Sequence, residues 1–97
     1  MEKGRYVVVT TDHTKRGVFG GILQEHDPQS GRAVLTEARM CIYWSKETRG
    51  VLGLAAIGPQ EGSRVSPAVP RIALEGVAAV MDATPAARER WEQGPWS

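Results

Sequence analysis

The chain has 97 residues and a net charge of +1, with 41% hydrophobic and 24% charged residues. This length and ordinary composition fit one globular domain over residues 1–97, with a small core that self-association would help to stabilise. The near-neutral charge argues against a non-specific binder of long DNA or RNA, whereas a small anion needs only a local cluster of arginines.

The single cysteine, Cys41, excludes an intrachain disulfide and favours a reducing cytoplasm. No stretch approaches the ~20 apolar residues of a membrane span, and the first apolar run is too short for a signal peptide. Cys41, His13 and His26 do not stand at metal-ligand spacing. We therefore expect no metal, no cofactor and no membrane partner.

The first half of the chain predicts β-strands. β-branched and apolar runs predict three strands, over residues 5–11, 17–25 and 32–45. Polar turns at 12–16 and 26–31 separate them. Glycines in the second strand, Gly17, Gly20 and Gly21, indicate a bend, a bulge or the close approach of another backbone. We expect the third strand to be broken near Thr36 or Glu37.

The second half of the chain mixes helix and strand signals. Apolar spacing predicts a short helix over 49–57 that Gly58 and Pro59 end, followed by a long loop over 59–70 of the kind that is often functional. A fourth strand is expected over 71–83.

A second helix is predicted to follow that strand. Thr84 suits its N-cap, Pro85 its first position, and Gly94-Pro95 its end. Ala87 and Trp91 are four apart and should share its buried face. The sum is an α+β protein: a small antiparallel β-sheet or part-open barrel with two short helices.

Residues 37–45 concentrate the chemically distinctive side chains. As a strand, one face would carry Ala38, Met40, Ile42 and Trp44 as core, and the other Glu37, Arg39, Cys41, Tyr43 and Ser45. Arg39 and Tyr43 would lie roughly 13 Å apart, which suits the phosphate and base of one nucleotide-sized ligand. A solvated or dimer-buried sheet face explains the same pattern.

Other candidate ligand-binding residues lie around this strand. Lys46 and Arg49 follow it, and Arg64 sits in the long loop between Ser63 and Ser66, so these groups could converge on an anion. Ordinary surface charge, with weak ion pairs to Glu47 and Glu61, is the simpler explanation.

Aromatic residues and glycines complete the inventory of candidate groups. Phe19 lies among glycines and could stack on a base, although such a residue is more often core. The glycines around Phe19 match neither a phosphate-binding loop nor a dinucleotide fingerprint. The candidate ligand-binding set is Phe19, Arg39, Tyr43, Arg49, Arg64 and Ser66.

Catalytic groups are not evident in the sequence. Cys41 could be a nucleophile only if His13 or His26 came near, and no family-type spacing supports this. A buried, inert thiol is the better interpretation, so we expect a protein that is not an enzyme.

Five stretches, in order, carry a resemblance over nearly the whole chain: "RGVFGGIL", "LTEARMCIYWS", "RGVLGLAAIGP", "SRVSPAVPRIAL" and "TPAARERWEQGPW". They resemble a family of small phage and prophage proteins, many catalogued only as a domain of unknown function. The "GV-aromatic-x-G" strand, the "L-x-x-AR-x-x-x-x-W" strand and the late "T-x-x-A" also look like the Thoeris anti-defence sponge proteins of the first type. Met40 stands where those proteins often have a second arginine, and "DHTKR" replaces a short polar-aromatic segment.

The resemblance implies a phage protein acting in the cytoplasm of a bacterial host. Such proteins sequester cyclic ADP-ribose isomers, and members are thought to bind cyclic oligonucleotides, without cleaving them. It also implies a homo-oligomer, either a dimer or a hexamer built from dimers. Phe19 and Arg39 are the best matches to ligand-facing positions. The alternative is a phage accessory or structural module that binds protein and has no small-molecule ligand.

Overall fold

The structure is a computed structural model that describes residues 4–11 and 17–93. Its elements, in chain order, are β1 Tyr6–Thr11, β2 Gly17–Asp27, β3 Arg32–Tyr43, a 3-10 helix Lys46–Thr48, α1 Gly50–Ala56, β4 Arg64–Val65, β5 Val69–Leu74, β6 Val77–Asp82 and α2 Pro85–Glu92. All strand pairings are antiparallel. The prediction of an α+β fold with a small antiparallel sheet and two helices is confirmed.

The strands form one sheet in the order β4-β3-β2-β1-β6, with β5 also paired to β3. The consecutive strands β5 and β6 therefore lie at opposite margins of the sheet. Ile72 of β5 and Val80 of β6 nevertheless pack against the same group of buried residues. The sheet is thus curved toward a barrel, but it is not closed.

Apolar side chains cover both faces of the sheet. On the helix side, Val8, Cys41 and Leu54 pack around Trp91. On the opposite side, which we call the concave side, the core consists of Val7, Val9, Leu23, Leu35, Ala38 and Leu74. Neighbouring residues of β1 alternate between the two cores, as the period of a strand requires.

Two glycines of β2 permit close approaches on the two sides of the sheet. A Cβ at Gly20 would lie 2.7 Å from the ring of Trp91, and a Cβ at Gly21 would lie 3.0 Å from the carbonyl oxygen of Thr36. The predicted close approach of another backbone is found at Gly21. At Gly20 the neighbour is a side chain from α2.

A bulge interrupts β3 at Glu37. Gly20 pairs with Arg39 and Ile22 pairs with Thr36, so two residues of β3 oppose the single residue Gly21. Glu37 has a φ of 50°, which is left-handed backbone. The strand is therefore bulged at the predicted position near Thr36 or Glu37 but not broken there, and β3 ends two residues earlier than expected.

The second half of the chain differs from the sequence prediction in two places. The expected loop over 59–70 contains β4 and the start of β5. The expected strand over 71–83 is instead two strands, because the chain turns at Glu75 and Gly76 and the φ of Gly76 is 69°. The predicted turn over 12–16 and the predicted helix end at Gly94-Pro95 lie outside the described residues.

Both predicted helices are present. The first is one residue shorter at each end than predicted, and the second begins as expected. The hydroxyl oxygen of Thr84 accepts a hydrogen bond from the backbone N–H of Ala87 at 3.0 Å, and Pro85 occupies the first turn. Ala87 and Trp91 are fully buried on the shared face. Over the part of the chain described, neither helix has the length and hydropathy of a membrane span.

Candidate functional site

A cavity of about 260 Å³ brings together three of the six candidate ligand-binding residues. Phe19 comes from β2, Arg39 from β3, and Ser66 from the segment between β4 and β5. The other lining residues are Ala38, Met40, Val69 and Ile72. We call this space the Phe19 cavity. Its walls are mostly apolar, and Arg39 is the only ionisable residue that lines it among those the structure describes.

Arg39 reaches the cavity from the helix side of the sheet. It pairs with Gly20 in the ladder, and the Cβ direction at Gly20 points toward Trp91. Its Nη1 then donates a hydrogen bond at 3.1 Å to the carbonyl oxygen of Ser66 at the sheet margin. No carboxylate among residues 4–11 and 17–93 forms an ion pair with Arg39. The guanidinium charge is therefore not neutralised within the described structure.

Ser66 is occupied by bonds to its own chain. Its hydroxyl accepts from the Met40 N–H at 2.9 Å and donates to the Pro67 carbonyl oxygen at 3.0 Å. Its backbone N–H donates to the Met40 carbonyl oxygen at 2.9 Å. Ser66 thus fastens the chain after β4 to β3, and its hydroxyl is not free to donate to an anion. Ser63, its predicted companion, is 1% exposed and lies within a buried hydroxyl cluster.

Tyr43 and Arg64 do not line the Phe19 cavity. They face each other across the β3–β4 ladder, and both are exposed. The register of this ladder shifts between Cys41 and Tyr43, so simple strand alternation does not assign these two side chains to the face of the Phe19 cavity. The prediction that they share one site with Arg39 therefore gains no support from the cavity lining.

Arg49 stands apart from the other candidates. It joins the 3-10 helix to α1 with a φ of 70°, and it lines neither of the two cavities described here. The prediction that Arg49 converges with Arg64 on one anion gains no support from its position.

The predicted division of residues 37–45 into a core face and a ligand face is wrong at Met40, Cys41, Ile42 and Ser45, whereas Trp44 packs against the core as predicted. Cys41, assigned to the ligand face, is 3% exposed, whereas Ile42, assigned to the core, is 61% exposed. The reason is that Cys41 packs into the helix-side core with Leu54 and Trp91. The pairing of β3 with β5 ends at Ala38, and beyond it Met40 and Ile42 are exposed.

The Cys41 thiol is buried and unreactive in character. Burial raises its pKa to about 11, and its Sγ donates a weak hydrogen bond to the Tyr43 carbonyl oxygen at 3.5 Å. A thiol with this pKa is protonated at neutral pH, so it is a poor nucleophile. This agrees with the interpretation of Cys41 as an inert residue.

A second cavity, of about 370 Å³, was not predicted. It lies where the β2–β3 ladder ends at the pair Phe19–Met40 while both strands continue. Its lining is Thr10, Thr11, Gly17, Val18, Met40, Cys41, Ile42, Trp44 and Val51. No charged residue of 4–11 or 17–93 lines it, and Met40 is shared with the Phe19 cavity. Nothing in the local sequence signals it, because it depends on where two strands separate.

Tyr6 presents a buried hydroxyl on the helix side that has no hydrogen-bond partner among the described residues. Burial, reinforced by the negative charge of Glu92, raises the pKa of Tyr6 well above its usual value. The guanidinium carbon of Arg88 lies 5.4 Å from the centre of its ring. Among the described residues, no group of three or more histidine, cysteine or acidic side chains could hold a metal ion.

Comparison with known protein families assigns the chain to one family. The model of the family described as a domain of unknown function (DUF6948) matches residues 4–91. The chain therefore belongs to this family. No curated protein and no solved structure matches it. The resemblance to Thoeris anti-defence sponge proteins stays a prediction.

Proposed function

We propose that this protein is a phage anti-defence sponge, acting in the cytoplasm of the bacterial host. It binds a cyclic nucleotide-type immune signal, either a cyclic ADP-ribose isomer or a cyclic oligonucleotide, and holds it without cleaving it. The observation that carries the proposal is the convergence of Phe19 and Arg39 on one mostly apolar cavity, with a guanidinium that no described carboxylate neutralises.

The chemistry of the Phe19 cavity suits the two halves of a nucleotide. An apolar space beside an aromatic ring accepts the flat face of a base, because burial and stacking stabilise it. A guanidinium without a carboxylate partner binds phosphate through charge-assisted hydrogen bonds. Arg64, two residues before Ser66 of the cavity wall, and its paired residue Tyr43 would supply a second cation and a second ring to a larger ligand.

The size of the cavity favours a site shared between subunits. Pockets that enclose a whole small ligand usually measure roughly 300–1,000 Å³. The Phe19 cavity, at about 260 Å³, would enclose only part of a nucleotide. Its margin is open and apolar, with Val69 45% exposed and Met40 37% exposed. A second copy covering this margin would complete the site, in keeping with the dimer or hexamer that we propose.

Ligand release tests this proposal. The purified protein is mixed with cyclic ADP-ribose isomers and with cyclic di- and trinucleotides, and its melting temperature is measured. We expect one class to raise the melting temperature, and heating should then release that ligand intact, as read by mass spectrometry. If no candidate stabilises the protein, or if the released ligand is cleaved, the sponge proposal is wrong.

Arg39→Ala provides the site-specific test. Loss of a charged hydrogen bond to phosphate costs about 1.5–3 kcal/mol, so affinity should fall roughly 10–100-fold. Arg32→Ala is the matched control, because Arg32 is an exposed arginine at the opposite end of β3. Equal losses in both variants, measured by calorimetry below the melting temperature of each, would indicate general charge attraction and not this site.

A second candidate function is a protein-interaction module without a small-molecule ligand. The exposed apolar side chains at one end of β3 favour it, since Met40, Ile42 and Tyr43 are 37–61% exposed. This alternative predicts that Arg39→Ala leaves partner binding unchanged while Ile42→Glu abolishes it. An absorbance ratio typical of protein alone, with no excess near 260 nm, would also favour it.

A further inference from the structure

We infer that Ser66 is the positioning residue for Arg39, a role that rests on the proposed function of the Phe19 cavity. The backbone carbonyl oxygen of Ser66 accepts a hydrogen bond from Arg39 Nη1 at 3.1 Å. The orientation of the guanidinium is therefore set by where that carbonyl oxygen lies.

Three other hydrogen bonds fix the position of this carbonyl. The backbone N–H and hydroxyl of Ser66 hold both polar groups of Met40, each at 2.9 Å. The hydroxyl also donates to the Pro67 carbonyl oxygen at 3.0 Å. A serine at this position thus ties the chain to β3 on one side and stiffens the following peptide on the other. The hydroxyl is central, because it takes part in two of the three bonds.

The hydrogen bonds of Ser66 also span a gap between two strands of the sheet. β4 ends at Val65 and β5 begins at Val69, and both pair with β3. Between them the chain leaves the ladder, and there Ser66 and Val69 form one wall of the Phe19 cavity. A single residue therefore holds both the cation and the adjoining wall, so loosening it should weaken anion binding through Arg39.

Ser63 offers a matched control for this role. Its hydroxyl also accepts a backbone N–H, that of Ser45, at 3.0 Å, and it is buried. Its other partners, Thr48 and Ser45, belong to a cluster that does not include Arg39. Ser63→Ala therefore removes the same kind of hydrogen bond from the same loop and leaves the hydrogen bonds of Ser66 intact.

The binding test uses the full chain, NMR titration, and two separate probes. Inorganic pyrophosphate reports the anion site, and adenosine reports the apolar site. In the Ser66→Ala variant the guanidinium of Arg39 is no longer held in place. We therefore expect this variant to bind pyrophosphate about tenfold more weakly than the wild type. We expect adenosine binding to be unchanged, Ser66→Thr to restore the affinity for pyrophosphate, and Ser63→Ala to affect neither probe. In an Arg39→Ala background, Ser66→Ala should cause no further loss.

A second measurement decides the inference without any ligand. The side-chain N–H signals of Arg39 should exchange slowly with water in the wild type and in Ser63→Ala, and quickly in Ser66→Ala. Unchanged exchange or unchanged pyrophosphate affinity in Ser66→Ala would overturn the inference. If the wild type does not bind pyrophosphate, the proposed phosphate site is wrong, and the exchange measurement still decides whether Ser66 positions Arg39.

Discussion

At the scale of single residues, the structure holds two protonated groups in places where charge would be costly. Tyr6 and Cys41 both lie in the helix-side core, and burial is the main cause of the raised pKa of each. Desolvation penalises the charged form of an acid, so both stay neutral over the physiological range. They differ in one respect: the thiol of Cys41 has a hydrogen-bond acceptor, whereas the hydroxyl of Tyr6 has no partner.

Tyr6→Phe should therefore stabilise the protein. A buried hydroxyl without a partner costs about 1–3 kcal/mol of desolvation, while phenylalanine keeps the ring packed near Trp91. We expect the free energy of unfolding to rise by about 1 kcal/mol in urea denaturation. Tyr43→Phe, at an exposed tyrosine, should change it by less than about 0.5 kcal/mol. A less stable Tyr6→Phe protein would contradict the assignment of an unpaired hydroxyl.

The pKa of Cys41 predicts a loss of stability in alkaline solution. The folded protein keeps the thiol proton up to pH about 11, whereas an unfolded thiol loses it near pH 9. The stabilisation is complete below pH 9 and is lost as the pH rises from 9 to 11, because the unfolded state then binds fewer protons. Cys41→Ala should flatten the fall in urea midpoint between pH 8.5 and pH 10. An equal slope in both proteins would contradict the assignment.

At the scale of elements, the contact between β2 and α2 depends on Gly20, which has no side chain. Trp91 is fully buried and lies against Gly20, and its indole N–H donates to the Leu54 carbonyl oxygen at 3.0 Å. One residue of α2 thus contacts both the sheet and α1. The close contact requires glycine at position 20, because any Cβ there would overlap the indole ring.

Gly20→Ala tests this contact in a mutant cycle. The overlap at 2.7 Å should cost about 1–3 kcal/mol of stability, as overpacking in cores does. Trp91→Phe shortens the ring system, so the double variant should lose less than the sum of the two single losses. Gly21→Ala is the control, since its overlap is with the backbone of β3 and should add fully to Trp91→Phe. Full additivity for Gly20→Ala would refute the proposed packing.

Elements that nearby residues specify could be predicted from the sequence, whereas elements that depend on long-range pairing could not. The start of α2 was predictable because Thr84 and Pro85 specify it locally. β4 was not, because a two-residue strand exists only through its pairing with Cys41 and Tyr43. The separation of β5 from β6 had a local signal in Gly76, which the apolar residues on both sides concealed.

The residue types of the candidate site could be predicted from the sequence, but the way in which the fold brings them together could not. Phe19, Arg39 and Ser66 were each identified by residue type, yet their meeting depends on β4 and β5 pairing along the edge of β3 that β2 leaves open. The sequence carries no local signal for that long-range pairing. The same limit explains why Arg49 was grouped with Arg64, and why the faces of β3 were assigned wrongly.

At the scale of the whole molecule, the helices and the sheet share one core through Trp91. Removing a large buried aromatic side chain costs about 3–5 kcal/mol, a large part of the roughly 5–15 kcal/mol that stabilises a domain. Trp91→Ala should therefore lower the melting temperature sharply. Helical circular dichroism and sheet-specific NMR signals should be lost in one transition. Survival of the sheet signals after the helices melt would show that the two layers are independent.

The strand order has a consequence for how the protein is made. β1 is hydrogen-bonded on one side to its neighbour β2 and on the other to β6, where Val9 pairs with Val80 near the far end of the chain. A ribosome would release β1, β2 and β3 long before β6, so the growing chain carries an unpaired apolar edge that can pair with other chains. The late, non-local closure of β6 on β1 should then limit the folding rate. Chaperone dependence during synthesis would follow from topology alone.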